Sequence, residues 1–204
     1  MLLRYTFIFL ICFNYLAFSQ DFPGGVDPEK QESIKPKHPS LYAGLSFKGV
    51  NLMEDWGLEL GGRVGGYVNE YFTAGAGFYY LFTQTITYEN FDYNTEPHLR
   101  LGYAGAEAEL HLPLHEYISV SGLLGAYIGQ ANEGTRSDVD ISHDIEGNWI
   151  YMLEPGICLY VHIWDGFAAG LNYQYRRSFG IDFYGLTNDD LSGQILSLNI
   201  YSIL

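Results

Sequence analysis

The sequence predicts an all-β protein, an eight-stranded antiparallel up-and-down transmembrane β-barrel, and three observations point there. From residue 41 onward apolar residues recur with period two, not 3.6. Eight such runs follow one another, most of about 8 to 15 residues, longer than the five or six usual in a soluble sheet and long enough to cross a bilayer with tilt. The connections alternate in kind, short turns with long polar loops, so one end of the sheet is tight and the other elaborated.

Composition narrows the class. Of 204 residues, 48% are hydrophobic and only 17% charged, with 24 acids against 10 bases and a formal net charge of −14. The four lysines are Lys30, Lys35, Lys37 and Lys48, so most of the chain carries none. An acidic chain with no lysine beyond Lys48 is a poor electrostatic partner for a phosphate backbone, which argues against nucleic acid as a partner. High aromatic content and low charge do not suit disorder. Cys12 and Cys158 are too few for a disulfide scaffold.

Residues 1–19 read as a secretory signal peptide: Arg4, the apolar run Phe7 to Phe13, and the small-residue cleavage context Ala17-Phe18-Ser19. Residues 20–40, with Pro23, Pro28, Pro36 and Pro39, read as a flexible periplasmic leader. Residues 41–204 form the transmembrane β-barrel domain, with strands expected at 41–48, 56–68, 71–83, 98–112, 117–130, 148–161, 167–177 and 191–203.

Each run justifies itself by one apolar face. The first is Leu41-Ala43-Leu45-Phe47, the second Trp56-Leu58-Leu60-Gly62-Val64, the third Phe72-Ala74-Ala76-Phe78-Tyr80-Phe82. The fourth is split: Leu99, Leu101 and Tyr103 alternate in one register and Ala104 to Leu112 in the other, which a bulge near Gly105 would reconcile. The fifth is Ile118-Val120-Gly122-Leu124-Ala126-Ile128 and the sixth runs from Trp149 to Val161, blemished by Pro155, which cannot donate to a ladder. Phe167 to Tyr175 and Leu196-Leu198-Ile200 complete the set. An even strand number returns both ends of the domain to the short-turn side, the periplasm.

The opposite faces hold Lys48, Glu59, Arg63, Arg100, Glu107, Glu109, His111, Glu154 and Arg176 among glycines, serines and tyrosines. A water-facing surface carries more charge than this, whereas a cramped interior takes small residues and few charges of mixed sign. The interior polar network is therefore expected to comprise Glu59, Arg63, Arg100, Glu107, Glu109, Glu154 and Arg176, with Arg63 or Arg100 neutralising the paired Glu107 and Glu109. The apolar faces end in aromatics, Phe47, Trp56, Phe82, Trp149 and Tyr175 toward the loops and Tyr71, Phe72, Tyr117, Trp164 and Phe167 toward the turns. Two such girdles mark the two bilayer interfaces.

With its short turns Val68-Asn69-Glu70-Tyr71-Phe72 and Leu112 to Ile118 and its alternating last strand Gly193 to Leu204, residues 41–204 resemble the small outer-membrane barrels of the OmpA/OmpX type, and within them the outer membrane protein β-barrel domain family common in Bacteroidetes. The resemblance implies a monomer embedded in outer-membrane lipid and lipopolysaccharide, delivered by the barrel-assembly machinery, and no single activity. One departure is the end Tyr201-Ser202-Ile203-Leu204, where such barrels usually carry a terminal aromatic residue.

Candidate chemistry is sparse. Ser142-His143-Asp144 is the only local grouping of triad residue types, and His98, His111, His115 and His162 have no nucleophile beside them in sequence. Asp138-x-Asp140-x-Ser142-x-Asp144 starts like a calcium loop but has His143 where Gly is needed and Trp149 at position twelve. Loop acids, with Asp138, Asp140, Asp144 and Glu146 foremost, are candidates for weak divalent-cation contacts with lipopolysaccharide. No cofactor and no dedicated metal site are expected. The expectation is a non-enzymatic outer-membrane barrel of structural, envelope-integrity or surface-interaction role, packed inside and without a wide pore. The alternatives are a lipid A modifying enzyme in the same fold and a secreted soluble barrel binding a hydrophobic ligand.

Overall fold

A computed structural model describes residues 41–53, 55–83, 98–134, 148–164, 166–181 and 186–203. The expected signal peptide and leader, residues 1–40, lie outside them, as do Asp138, Asp140, Ser142, His143, Asp144 and Glu146. Eight strands form: β1 Leu41–Leu52, β2 Asp55–Tyr67, β3 Phe72–Leu81, β4 His98–His115, β5 Ile118–Gly134, β6 Asn148–Trp164, β7 Phe167–Phe179 and β8 Gly193–Ile203. Each pairs antiparallel with its sequence neighbour, and β1 pairs with β8 from Tyr42↔Ile203 to Val50↔Ile195, closing the barrel. Closure leaves no free edge, which is how a sheet satisfies its backbone in lipid.

The two faces are inverted relative to a soluble protein. Leu58, Val64, Phe78, Leu124, Ile157, Leu171 and Leu198 point outward and are exposed, while Lys48, Glu59, Arg63 and Arg176 are buried to 2% exposure or less. A water-soluble barrel holding a hydrophobic ligand needs the reverse arrangement, so that alternative falls. Every expected girdle aromatic lies exposed except Phe72 and Phe167, which are half-buried, Phe167 stacking on Trp164 at 4.6 Å.

The short turns come from local chemistry. In the β2–β3 turn the Asn69 side chain accepts the Tyr71 amide at 2.9 Å, and Gly166 supplies the positive φ of 79° that the β6–β7 turn requires. We call this end, with the β4–β5 turn Glu116-Tyr117, the turn rim, and the opposite end the loop rim.

One irregularity falls where the sequence did not place it, and another lies at the proline the sequence marked. β4 runs through Gly105 in unbroken register with both neighbours, and its register shift lies at Pro113/His115. Leu99, Leu101 and Tyr103 therefore share the inner face with Glu107 and Glu109, and Arg100 shares the outer face with Ala104 and Ala106. The apparent phase change is real chemistry, because the interior is apolar near the loop rim and charged farther in. Pro155 interrupts only the ladder to β7, which resumes without a shift at Gly156↔Gln174, while its pairing to Leu124 of β5 is kept.

Candidate functional site

The inner faces of the eight strands meet in three layers. At the loop rim Val50, Leu52, Leu81, Leu99, Leu101, Ile150, Met152 and Ile195 pack together, and Leu186 and Leu191 of the last connection join them. That connection is tied down: Met53 donates its amide to the Asp190 carbonyl at 2.9 Å, and Ser178 donates its hydroxyl to the Leu191 carbonyl at 2.6 Å. The result is an apolar plug across the mouth.

Beneath it lies a charged belt in two parts. In the first, the Arg176 guanidinium donates to both oxygens of Glu59 at 2.8 and 2.9 Å and to Glu154 at 2.7 Å. Lys48 donates to the other Glu154 oxygen at 2.8 Å. The Tyr103 hydroxyl accepts from Lys48 and Arg176 and donates to Glu59 at 2.5 Å. In the second part, Arg63 bridges Glu107 and Glu109 and donates to the Tyr201 hydroxyl. Glu107 accepts hydroxyls from Tyr79 and Tyr127, and Glu109 from Tyr160 and Ser121. Buried charges survive only when paired and hydrogen-bonded, and the tyrosines fill the valences that the basic groups leave.

Inward glycines make room for this. A Cβ at Gly77 would run into the Glu107 carboxylate, and one at Gly125 into the Tyr127 ring. Apart from Lys48 and Arg176, the β7–β8–β1 wall is lined by neutral polar groups: Ser46, Asn172, Gln174, Ser197 and Asn199 are buried there, each with a side-chain polar atom that has no hydrogen-bond partner among the described residues.

At the turn rim the belt gives way to a cavity of about 30 Å³ whose walls include Tyr42, Tyr67, Tyr160, Tyr201, Glu109 and His111. Two histidines gain hydroxyl neighbours here that sequence spacing hides: His111 Nε2 lies 3.0 Å from Thr73 Oγ1, and His162 Nε2 lies 3.4 Å from Ser119 Oγ. Neither pair has triad geometry. A triad base turns one ring nitrogen to the nucleophile and the other to the acid, whereas the His111 nitrogen facing Thr73 is the same one that faces Glu109 at 3.8 Å.

Of the seven residues expected in the interior network, six lie inside and join these clusters. Arg100 is a correction: the uninterrupted register of β4 turns it outward, where it is exposed, and Arg63 alone bridges Glu107 and Glu109. The network also contains Lys48, which the sequence placed on the polar face but not in the network, and five tyrosines not singled out from sequence, at 79, 103, 127, 160 and 201. Strand parity was the available signal, since each shares the inward phase of a charged residue on its own strand or a directly paired one.

The family profile described as outer membrane protein beta-barrel domain matches residues 30–200. Among solved structures, the N-terminal β-barrel domain of Pseudomonas aeruginosa OprF is similar with a TM-score of 0.53 at 10% identity, covering 82% of this chain and 100% of that one. Neisserial surface protein A gives a TM-score of 0.54 at 11% identity, covering 80% and 96%. A major outer membrane protein from Thermus thermophilus gives 0.50 at 10% identity, covering 81% and 99%. No curated protein matches the chain in sequence.

Proposed function

The chain belongs to the outer membrane protein beta-barrel domain family and resides in the bacterial outer membrane, and from that premise we propose that it acts without a wide pore and without catalysis, as a rigid membrane scaffold in a structural, envelope-integrity or surface-interaction role. The observation that carries this reading is the filled loop-rim half of the interior: Leu101, Ile150 and Leu191 are 0% exposed within the plug, directly above a belt in which Arg176 and Glu154 are also 0% exposed. An eight-stranded barrel has room inside for little beyond its own side chains. With the interior occupied, the connections at the loop rim are the parts available for contact, and loops on a rigid scaffold are where binding concentrates. A closed barrel also uses every strand edge internally, which favours a monomer bounded by lipid and lipopolysaccharide. Among the described residues the Ser119–His162 and Thr73–His111 pairs sit at the turn rim facing inward, which does not suit an enzyme working on lipid A at its outer, lipid-facing surface.

Planar-bilayer recording of the full mature chain tests the first half of the proposal. The expected result is no sustained ohmic current, and stable open steps of porin size would overturn it. Shortening residues 84–97 and 135–147 tests the second half. The variant is expected to keep the heat-modifiable gel shift of a folded barrel and to lose surface binding or the envelope phenotype. Unchanged binding and phenotype in a folded variant would move the role away from these loops.

A further inference from the structure

We propose that the turn-rim cavity is a receptor site for a primary ammonium group. The barrel already shows how it holds such a group. The Lys48 ammonium lies 3.4 Å from the centroid of the Tyr79 ring, 5.2 Å from that of Tyr127 and 5.4 Å from that of Tyr103, and donates to Glu154 at 2.8 Å. This is a cage of three tyrosine rings and one glutamate. The turn-rim cavity repeats the recipe with the rings of Tyr42, Tyr67, Tyr160 and Tyr201 and the carboxylate of Glu109; no lysine is among its described lining residues, and the Arg63 guanidinium lies 5.4 Å from the Tyr201 ring. Aromatic faces around a carboxylate attract a cation by the ring quadrupole and by charge together.

The charge balance points the same way. Around Lys48 the belt is neutral, with Lys48 and Arg176 against Glu59 and Glu154. Arg63 pairs with both Glu107 and Glu109, and Glu107 also binds the Tyr79 and Tyr127 hydroxyls whose rings cage Lys48. Over the belt as a whole, and among the described residues, Lys48, Arg63 and Arg176 face Glu59, Glu107, Glu109 and Glu154, so with histidine neutral one negative charge is in excess, and Glu109 brings the belt to the cavity wall. That carboxylate spends one oxygen on Arg63 and the other on the hydroxyls of Tyr160 and Ser121. The three donors of an ammonium suit that carboxylate, the tyrosine hydroxyls and the Thr73 hydroxyl. A cavity of about 30 Å³ takes about two water-sized groups, enough for an ammonium head and its first methylene, and a quaternary head lacks the N–H donors its polar wall would meet. Tyr67 and His162 on its wall are half-buried, not sealed, so the site is reached from the turn-rim side.

Two sources share this chemistry. One is a small free alkylamine. The other is the chain itself, whose three remaining lysines, Lys30, Lys35 and Lys37, all precede β1, the strand that enters the barrel at this rim.

The test uses the full mature chain folded in detergent micelles, with NMR of the histidine and tyrosine rings. Titration with n-butylammonium is expected to give saturable shifts at His111 and Tyr201, with tetramethylammonium and n-butanol giving none. Glu109→Gln is expected to weaken binding about tenfold or more. Tyr67→Leu, which leaves the ion cluster intact, is expected to weaken it by a smaller factor. If replacing Lys30, Lys35 and Lys37 by glutamine shifts the same resonances without added amine and tightens n-butylammonium binding, a leader lysine is the occupant. If that variant binds as the wild type does, the occupant is a free amine. No saturable shift in either the wild type or the lysine-free leader variant, or equal shifts with n-butanol, would overturn the proposal.

Discussion

The loop-rim half of the barrel is filled by Leu52, Leu101, Ile150 and Leu191, and the turn-rim half by Tyr42, Tyr160, Tyr201 and His111, with the charged belt between them. The plug and the belt are both buried inside the barrel, but different physics holds each. The plug depends on shape and volume, and an apolar core accepts another residue of similar size at little cost. The belt depends on valence. Arg176 serves two carboxylates and Tyr103 serves three charged groups, so each is tied to its partners by direction as well as by volume. The dry plug also keeps water from one side of the belt, and in low dielectric its ion pairs are stronger and their loss costs more. Plug and belt therefore tolerate change differently, and substitutions at four positions read this out through urea titrations of folding into lipid vesicles, scored by the heat-modifiable gel shift.

The largest effect is expected for Arg176→Met, which leaves buried Glu154 with Lys48 and buried Glu59, among the described residues, with the Tyr103 hydroxyl and no basic partner, and costs about 3–5 kcal/mol. A loss under about 1 kcal/mol would mean that the belt does not depend on its charges. Next comes Leu101→Ala in the plug, at about 3 kcal/mol, while Leu101→Met costs under about 1.5 kcal/mol. If the methionine costs as much as the alanine, the plug is as exacting as the belt and the contrast fails. Tyr103→Phe keeps the ring and removes one hydroxyl from three charged neighbours, at about 2 kcal/mol. Arg100→Gln is expected to cost under about 1 kcal/mol because its side chain lies on the outer surface. A loss near that of Arg176→Met would place Arg100 functionally inside the barrel after all.

Much of this was readable from the chain. The period-two runs located all eight strands, the short turns located the tight rim, and the scarcity of charge on one face of each run assigned that face to lipid. β4 shows where the reading fails. Its inner face passes from Leu99 and Leu101 to Glu107 and Glu109, so a rule that inner means polar reads a phase change and supplies a bulge that is not there. The same rule put Arg100 inside. Alternation reports which residues share a face, but not how the environment on that face varies with depth. The tyrosines were passed over for a related reason, since on sequence a tyrosine suits girdle, core or network equally. The pairings Thr73–His111 and Ser119–His162 join residues 38 and 43 positions apart, and no local pattern reports them.

The sequence by itself determined the barrel, its strand count, its membrane face and the parity of nearly every side chain, because period-two alternation and turn chemistry are local and each strand carries its own copy. Tertiary structure decided which charges meet. Arg63 reaches Glu107 and Glu109 two strands away, and Arg176 reaches Glu59 across 117 residues of chain. Contacts of that kind exist only once β1 has closed on β8 and the width and stagger of the barrel have set which inward side chains share a level. The apolar plug, the Lys48 cage and the tyrosine-lined cavity at the turn rim are all consequences of that closure.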